Sequence, residues 1–249
     1  MIIAHRGASF DAPENTLAAF HLAFTQGADG IEADFRLSGD GEIVCIHDAT
    51  TGRTADRNLR VAARPLAELR FLSLGTEKGG QWQGERIPTL AEVLTILPAD
   101  KKLFIELKCG PEILPPLCKL LTTVSIDKEQ LRFLSFDAHL LTALKAEFPS
   151  IKSCLNLEYY RAGLIGPWRP HLEKIMRILA GCGANGLSSQ AHPCIDREFV
   201  ARLHAAGQEL HIWTVDFLTD ARHYQRLGVD SLMSNRPGFL RQGLFTASI

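Results

Sequence analysis

The sequence predicts an α/β fold, a TIM-type (β/α)8 barrel with an insertion between the second strand and the second helix. Three observations point there. Eight short apolar runs alternate with eight segments of helical period, and strict alternation of that kind builds an all-parallel sheet. Eight repeats in 249 residues match the size of a closed eightfold barrel. The turn after the first run reads HRGAS, without the G-x-G-x-x-G glycines that open a doubly wound sheet.

The strand runs, in order, are IIAH (2–5), GIEADF (30–35), KLFIELK (102–108), LRFLSF (131–136), IKSCLNL (151–157), NGLSS (185–189), ELHIWTV (209–215) and DSLMS (230–234). The helical segments begin near 15, 89, 112, 137, 171, 196, 218 and 237. In the first of them Leu17, Phe20 and Phe24 share a face, and Asn15 or Thr16, in PENT, is the expected N-cap. About fifty residues, 36–88, separate the second strand from the second helix. They open with SGDGEIVCIHD, where Asp40-Gly41 between two alternating runs signals a hairpin. They continue through TTGRTADRN and GTEKGGQWQGERIP, both rich in turn residues. A long βα connection in a barrel lies on the catalytic face. Trp82, within it, is either a lid residue or a packing residue. No linker or low-complexity tract divides the chain, so residues 1–249 are expected to form one catalytic domain.

Composition excludes several functions. Hydrophobic residues make up 46% and charged residues 22%, and the net charge is −1. That balance argues against nucleic-acid binding, which needs a basic face. It leaves room for a small anionic substrate gripped by two or three local cations. Neither a signal peptide nor a membrane span is visible, so a cytoplasmic location is expected. The six cysteines, at 45, 109, 118, 154, 182 and 194, form no CxxC pair and no zinc spacing. They read as buried free thiols in a reducing compartment.

Alternation along a strand points Glu32 and Asp34 the same way, and likewise Glu106 and Lys108. If the hairpin folds back around Gly39–Gly41, residue 47 pairs near 32 or 34, which sets His47 beside the carboxylates. His5 and Arg6 end the neighbouring first strand. These seven residues therefore converge at the C-terminal ends of adjacent strands, where barrel active sites form. Three carboxylates without a thiolate suit Mg²⁺, Ca²⁺ or Mn²⁺. Arg6 and Lys108 suit an anion such as phosphate. His5 and His47 can exchange protons near neutrality. Metal, cations, acid and base together describe phosphoryl-ester cleavage. The duller reading makes Glu32 and Asp34 ion-pair partners of Arg6 and Lys108, with no metal. Trp213, in WTVD, is either core or a substrate wall.

The motifs HRGAS…PENT, GADGIEADFRLSGDGEIVCIHD, IPTLAEVL, FIELK, WTVD and GVDSLMSNRP resemble the glycerophosphodiester phosphodiesterase family over residues 2 to about 237. The resemblance implies hydrolysis of glycerophosphodiesters to glycerol 3-phosphate and an alcohol. It implies a divalent metal on Glu32, Asp34 and Glu106, acid–base work by His5 and His47, and phosphate binding by Arg6 and Lys108. It looks like the cytoplasmic bacterial branch. One departure is Asn235, which stands where many members carry Asp; its effect is expected on hydrogen bonding around the last strand, away from the metal. A phospholipase D-like lyase that releases a cyclic phosphate shares much of this residue set. A sugar isomerase would leave Arg6 and Lys108 idle. A silent binding protein on the same barrel would have lost a histidine or a carboxylate, and all are present.

Overall fold

The computed structural model describes residues 1–161, 163 and 166–245; the expected domain range ends on residues 246–249, outside them. The elements in chain order are β1 (Ile2–His5), α1 (Leu17–Thr25), β2 (Gly30–Leu37), β3 (Ile43–Cys45), α2 (Leu66–Leu69), α3 (Leu90–Thr95), β4 (Lys102–Leu107), α4 (Leu114–Thr123), β5 (Leu131–Ser135), α5 (Ala138–Glu147), β6 (Lys152–Leu157), β7 (Tyr160–Arg161), β8 (Trp168–Arg169), α6 (Leu172–Cys182), β9 (Gly186–Gln190), α7 (Arg197–Ala205), β10 (Glu209–Trp213), α8 (Leu218–Leu227), β11 (Ser231–Ser234) and α9 (Pro237–Phe245). Eight strands pair in parallel in the order β1-β2-β4-β5-β6-β9-β10-β11, and β11 returns to β1, which closes the barrel.

Period-two alternation builds two layers of core. Ile31, Ala33 and Phe35 of β2 and Leu103, Ile105 and Leu107 of β4 face the helices. Ile3, Phe104, Leu134, Cys154 and Met233 fill the barrel interior. Four helices, α1, α3, α5 and α7, start where a short polar side chain takes an orphan backbone N–H. Thr16 accepts from Ala19, Asp137 from His139 and Asp196 from Phe199. Thr89 and Glu92 form a reciprocal capping box at the start of α3.

The insertion is more than a loop. Strand β3 pairs antiparallel with β2, and behind it Val44, Ile46, Val61, Leu69, Leu72, Leu74 and Ile87 form a separate small core. Trp82 is half-buried and packs beside Gly75. A second excursion, the two-residue strands β7 and β8, rises between β6 and α6. The cysteines are all free, but only Cys45, Cys154 and Cys182 are buried. Cys109 and Cys118 are half-buried and Cys194 is exposed, against the expectation of burial. Among the described residues no helix is long and apolar enough to cross a membrane.

Candidate active site

The first strand ends in a sharp turn. Arg6 adopts a left-handed φ of 58° and Gly7 follows at 83°. A Cβ on Gly7 would stand 2.8 Å from the backbone of Ala19, so only glycine lets α1 approach this closely. The turn aims the Arg6 amide at Glu32 Oε2, 3.0 Å away, and its side chain at Asp34, with Nε 3.2 Å from Oδ2.

Glu32, Asp34 and Glu106 are buried and project inward together, with candidate ligand oxygens all within 4.8 Å of one another. Register explains the convergence: His5 pairs with Glu32 and Asp34 with Glu106 across adjacent strands. Lys108 Nζ lies 3.1 Å from Asp34 Oδ1 and also contacts Glu106. Arg6 and Lys108 are thus counterions of the carboxylates, as the duller reading has it, but they do not neutralise the set. Burial, then the neighbouring Asp34 and Glu106 charges, pushes the Glu32 carboxyl well above its ordinary range. Glu106 is raised by burial and by Asp34. Burial also pushes on Asp34, but Lys108 and Arg6 outweigh it and hold that carboxyl low. One Glu32 oxygen, Oε1, is buried without a partner. An unfilled buried carboxylate oxygen among oxygen donors of excess negative charge fits a hard divalent cation. A second cluster, Cys154, Glu209 and His211, lies deeper in the barrel. There Glu209 is already paired with Arg132 and Lys152.

The two imidazoles flank this group with different partners. His5 Nε2 stands 3.9 Å from Glu32, and its Nδ1 lies 2.8 Å from Asn235 Oδ1. Asn235 donates its Nδ2–H to Asp216 Oδ2 at 2.7 Å and accepts from Ser9 Oγ at 2.8 Å. Asp216 can only accept, so the amide oxygen faces His5, and His5 carries its proton on Nδ1. Burial and the adjacent Arg6 charge bring His5 down to about 4. His47 Nδ1 lies 2.7 Å from Asp48 Oδ1. Burial lowers His47 overall, although Asp34 and Asp48 oppose it. Arg53 holds Asp48 at about 2, through a 2.7 Å hydrogen bond from Nε. The same guanidinium grips both oxygens of Glu14 at 2.6 and 2.8 Å, and Glu14 in turn accepts from Arg6 at 3.0 Å.

A cavity of about 300 Å³ opens here, lined by His5, Arg6, Glu32, His47, Glu106 and Lys108 on one side. Trp213 and Phe136, edge to face at 6.1 Å, line its other side. All seven residues of the sequence constellation meet at this mouth. The β2–β3 ladder pairs Phe35 with Cys45, and the Ile46 N–H still donates to the Asp34 carbonyl at 2.9 Å, which brings His47 in near residues 32–34 as the hairpin predicts. The His47 carbonyl accepts from Arg36 Nε at 2.8 Å as the chain leaves the sheet. Thr16 alone caps α1; Asn15, at φ 58° and buried, donates to Asp34 Oδ2 at 2.8 Å and accepts from the Asp34 N–H. Asn235 reaches beyond the last strand to His5 itself. Glu14, Asp48, Arg53 and Asp216 complete the network. Each sits within a quoted motif, Glu14 in PENT, Asp48 in IHD, Arg53 in TTGRTADRN and Asp216 in WTVD.

A closed parallel barrel with a buried acidic cluster, two basic side chains and two imidazoles at its C-terminal mouth defines an enzyme that works on phosphate esters. The model of the glycerophosphoryl diester phosphodiesterase family matches residues 5–239, and the chain belongs to that family. It is 35% identical over 246 residues to a glycerophosphodiester phosphodiesterase of Caldanaerobacter subterraneus, covering 95% of this chain and 94% of the relative. Among solved structures it is similar to an Oleispira antarctica phosphodiesterase in complex with the product sn-glycerol-3-phosphate. That match has a TM-score of 0.87 and 31% identity, covering 99% of this chain and 97% of the other. A glycerophosphodiester phosphodiesterase from Agrobacterium tumefaciens matches with a TM-score of 0.78 and 26% identity, covering 96% and 97% of the two chains.

Proposed function

We propose that this chain hydrolyses glycerophosphodiesters to glycerol 3-phosphate and an alcohol, with one divalent cation held by Glu32, Asp34 and Glu106. The observation that carries the reading is the meeting of that acidic triad with His5, His47, Arg6 and Lys108 around one cavity. The product bound in the Oleispira structure supports glycerol 3-phosphate as the product here. When bound, the cation polarises a phosphoryl oxygen and stabilises the charge that builds in the transition state. Mg²⁺, Ca²⁺ and Mn²⁺ all suit an all-carboxylate donor set.

The residues of the chain do the rest. Arg6 and Lys108 bind phosphate oxygens. His5, neutral and with Nε2 bare, accepts the proton of the attacking oxygen as the new P–O bond forms. His47 gives a proton to the alcohol oxygen as the old P–O bond breaks. The assignment follows from their surroundings: burial and the Arg6 charge keep the His5 ring neutral, with only an amide oxygen at Nδ1, whereas the Asp48 carboxylate stabilises an imidazolium at His47. Trp213 and Phe136 wall the cavity. The substrate is a small molecule, and six unpaired cysteines support a reducing, cytoplasmic location. Residues 1–249 act as one catalytic unit.

The test is incubation with glycerophosphocholine and each metal in turn, with phosphorus NMR following the products. Metal-dependent release of glycerol 3-phosphate is expected. A cyclic phosphate as the end product favours the lyase reading, and no turnover with any metal overturns both.

A further inference from the structure

Beside the catalytic mouth, the excursion between β6 and α6 gathers positive charge and exposed aromatic rings. Its two short strands read Tyr160-Arg161 and Trp168-Arg169. They pair antiparallel, Tyr160 with Arg169 and Arg161 with Trp168. Directly opposed residues share a face of such a pair, so each face of the hairpin carries one aromatic ring and one guanidinium. The Arg161 guanidinium lies over the Trp168 ring, 4.9 Å from its centroid. Both rings keep contact with solvent: Tyr160 is 57% exposed and Trp168 40%.

Helix α6 continues the charge. Ile175 and Leu179 bury its inner face, which leaves Lys174 and Arg177, three residues apart and exposed, together on the outer one. They meet Tyr160, Arg169 and His171 around an open cleft of about 390 Å³. Glu173 is the carboxylate that lines this cleft, and it is paired with Arg202. Among the described residues, Arg169, Lys174 and Arg177 have no carboxylate partner.

Three cations around one cleft without a counter-charge set up a local positive field that attracts an anion. The surroundings narrow it. The basic side chains are exposed and the cleft is open, so the site suits a surface of many negative charges better than one enclosed ion. A free phosphate also leaves the two rings unused. The headgroup layer of a bilayer uses both features: amphipathic rings settle at its depth, and basic side chains gain from anionic lipids. Phe217, 65% exposed just before α8, and Phe10, 56% exposed after β1, extend apolar surface over the same end of the barrel.

We infer that the β7–β8 hairpin and the start of α6 dock the chain on an anionic lipid surface. Docking holds the catalytic mouth beside that surface. Combined with the proposed function, it places the chain where phospholipid deacylation, the class of reaction that yields a glycerophosphodiester, releases its product.

Sedimentation with vesicles tests the surface separately from turnover. The full chain is spun down with phosphatidylcholine vesicles and with vesicles that also hold about 30% phosphatidylglycerol. Binding at least about tenfold tighter to the anionic vesicles is expected, and high salt should abolish it. Each basic residue near an anionic leaflet is worth roughly a fivefold factor in affinity. Arg169→Gln combined with Lys174→Gln should therefore weaken binding by about 25-fold. Tyr160→Ser should weaken it as well, through the lost ring. All these variants should cleave soluble glycerophosphocholine as the wild type does, which shows that they fold. Lys174→Gln with Arg177→Gln, confined to an exposed helix face, replaces the first pair if the hairpin variant does not fold. Equal binding to both kinds of vesicle, binding to neither, or wild-type binding by the charge variants overturns the inference. Release by inorganic phosphate but not by chloride of equal ionic strength would make the cleft a soluble-anion site instead. Tighter binding of a single-stranded oligonucleotide than of the vesicles would assign it to nucleic acid, and either result overturns lipid docking. Vesicle binding without any cleavage of glycerophosphocholine overturns the proposed function alone.

Discussion

Asn235 presents its amide oxygen to His5 Nδ1 at 2.8 Å because its amide nitrogen is committed to Asp216 at 2.7 Å. A side chain at the end of the last strand thereby sets the tautomer of an imidazole at the end of the first. The position is a departure from the aspartate that the family resemblance leads one to expect, and its influence runs directly to the proposed base. Asn235→Ala should lower kcat by about 10- to 100-fold, the usual consequence of losing a supporting hydrogen-bond partner, with little change in KM. The nitrogen shifts of His5 in a labelled sample should report loss of the single Nδ1–H tautomer. An unchanged spectrum together with unchanged kcat would show that the ring is oriented by its packing alone.

Glu14, Glu32, Asp34, Asp48 and Glu106 face Arg6, Arg53 and Lys108, which leaves two negative charges in excess when both histidines are neutral. A divalent cation brings the cluster to neutrality and relieves the repulsion that adds to burial in raising Glu32. The folded chain should therefore melt higher with metal, by the equivalent of about 2.7 kcal/mol at a hundredfold excess over Kd. Glu32→Gln, which removes one of those charges, should bind metal more weakly and lose most of the shift. Identical melting of the wild type in chelator and in metal would remove the site.

How much of this was legible varies with the kind of signal. The barrel is legible because period-two runs such as GIEADF alternate with capped helices, and a two-residue spacing is enough to put Glu32 and Asp34 on one face. Asn15 is not, because asparagine and threonine are both capping residues and only the left-handed turn at residue 15 sends Asn15 under β2. The core of the insertion is hidden for another reason: Val61, Leu69, Leu72 and Leu74 are scattered among turn residues with no period. Strands β7 and β8, at two residues each, are too short to carry one.

Arg6 reaches Glu14 through one terminal nitrogen and Asp34 through Nε. A lysine ammonium is a single point and cannot span both while facing a phosphate. Arg6→Lys should lower kcat/KM by at least about tenfold. Wild-type kinetics in that variant would remove the proposed phosphate contact.

Far from the mouth, Glu209 sets the acid limit of the barrel. Burial pushes its carboxyl up, but His211, Lys152 and Arg132 overcome that and hold it well below the ordinary range. A carboxyl depressed by folding contributes stability that is complete above its unfolded pKa, about 4.3. That contribution is lost as the pH falls toward the folded value. Glu209→Gln should destabilise the chain near neutrality by on the order of 3 kcal/mol, since it strands Arg132. It should also flatten the fall of melting temperature below about pH 4. A variant as acid-sensitive as the wild type would show that other carboxylates carry the effect.

Arg53 is where the insertion acts on the chemistry. From the hairpin side it holds Asp48, the partner of His47, and it reaches across to both oxygens of Glu14, which steadies Arg6. Its side chain is 47% exposed, so its ion pairs should add little to global stability. The expected effect of Arg53→Met is therefore kinetic. Asp48 loses the guanidinium that fixes it, and the proposed acid loses its orientation. A fall in kcat of about tenfold is expected, the lower end of the range for supporting groups, with the melting temperature almost unchanged. If Arg53 works through Asp48, the two substitutions should not add: Arg53→Met should cost much less in an Asp48→Asn background than in the wild type. Full additivity would assign the effect to the Glu14–Arg6 arm, and Glu14→Gln combined with Arg53→Met should then show the coupling instead. A large drop in melting temperature with kcat intact would make Arg53 a strut of the insertion and disconnect that segment from the proton transfer.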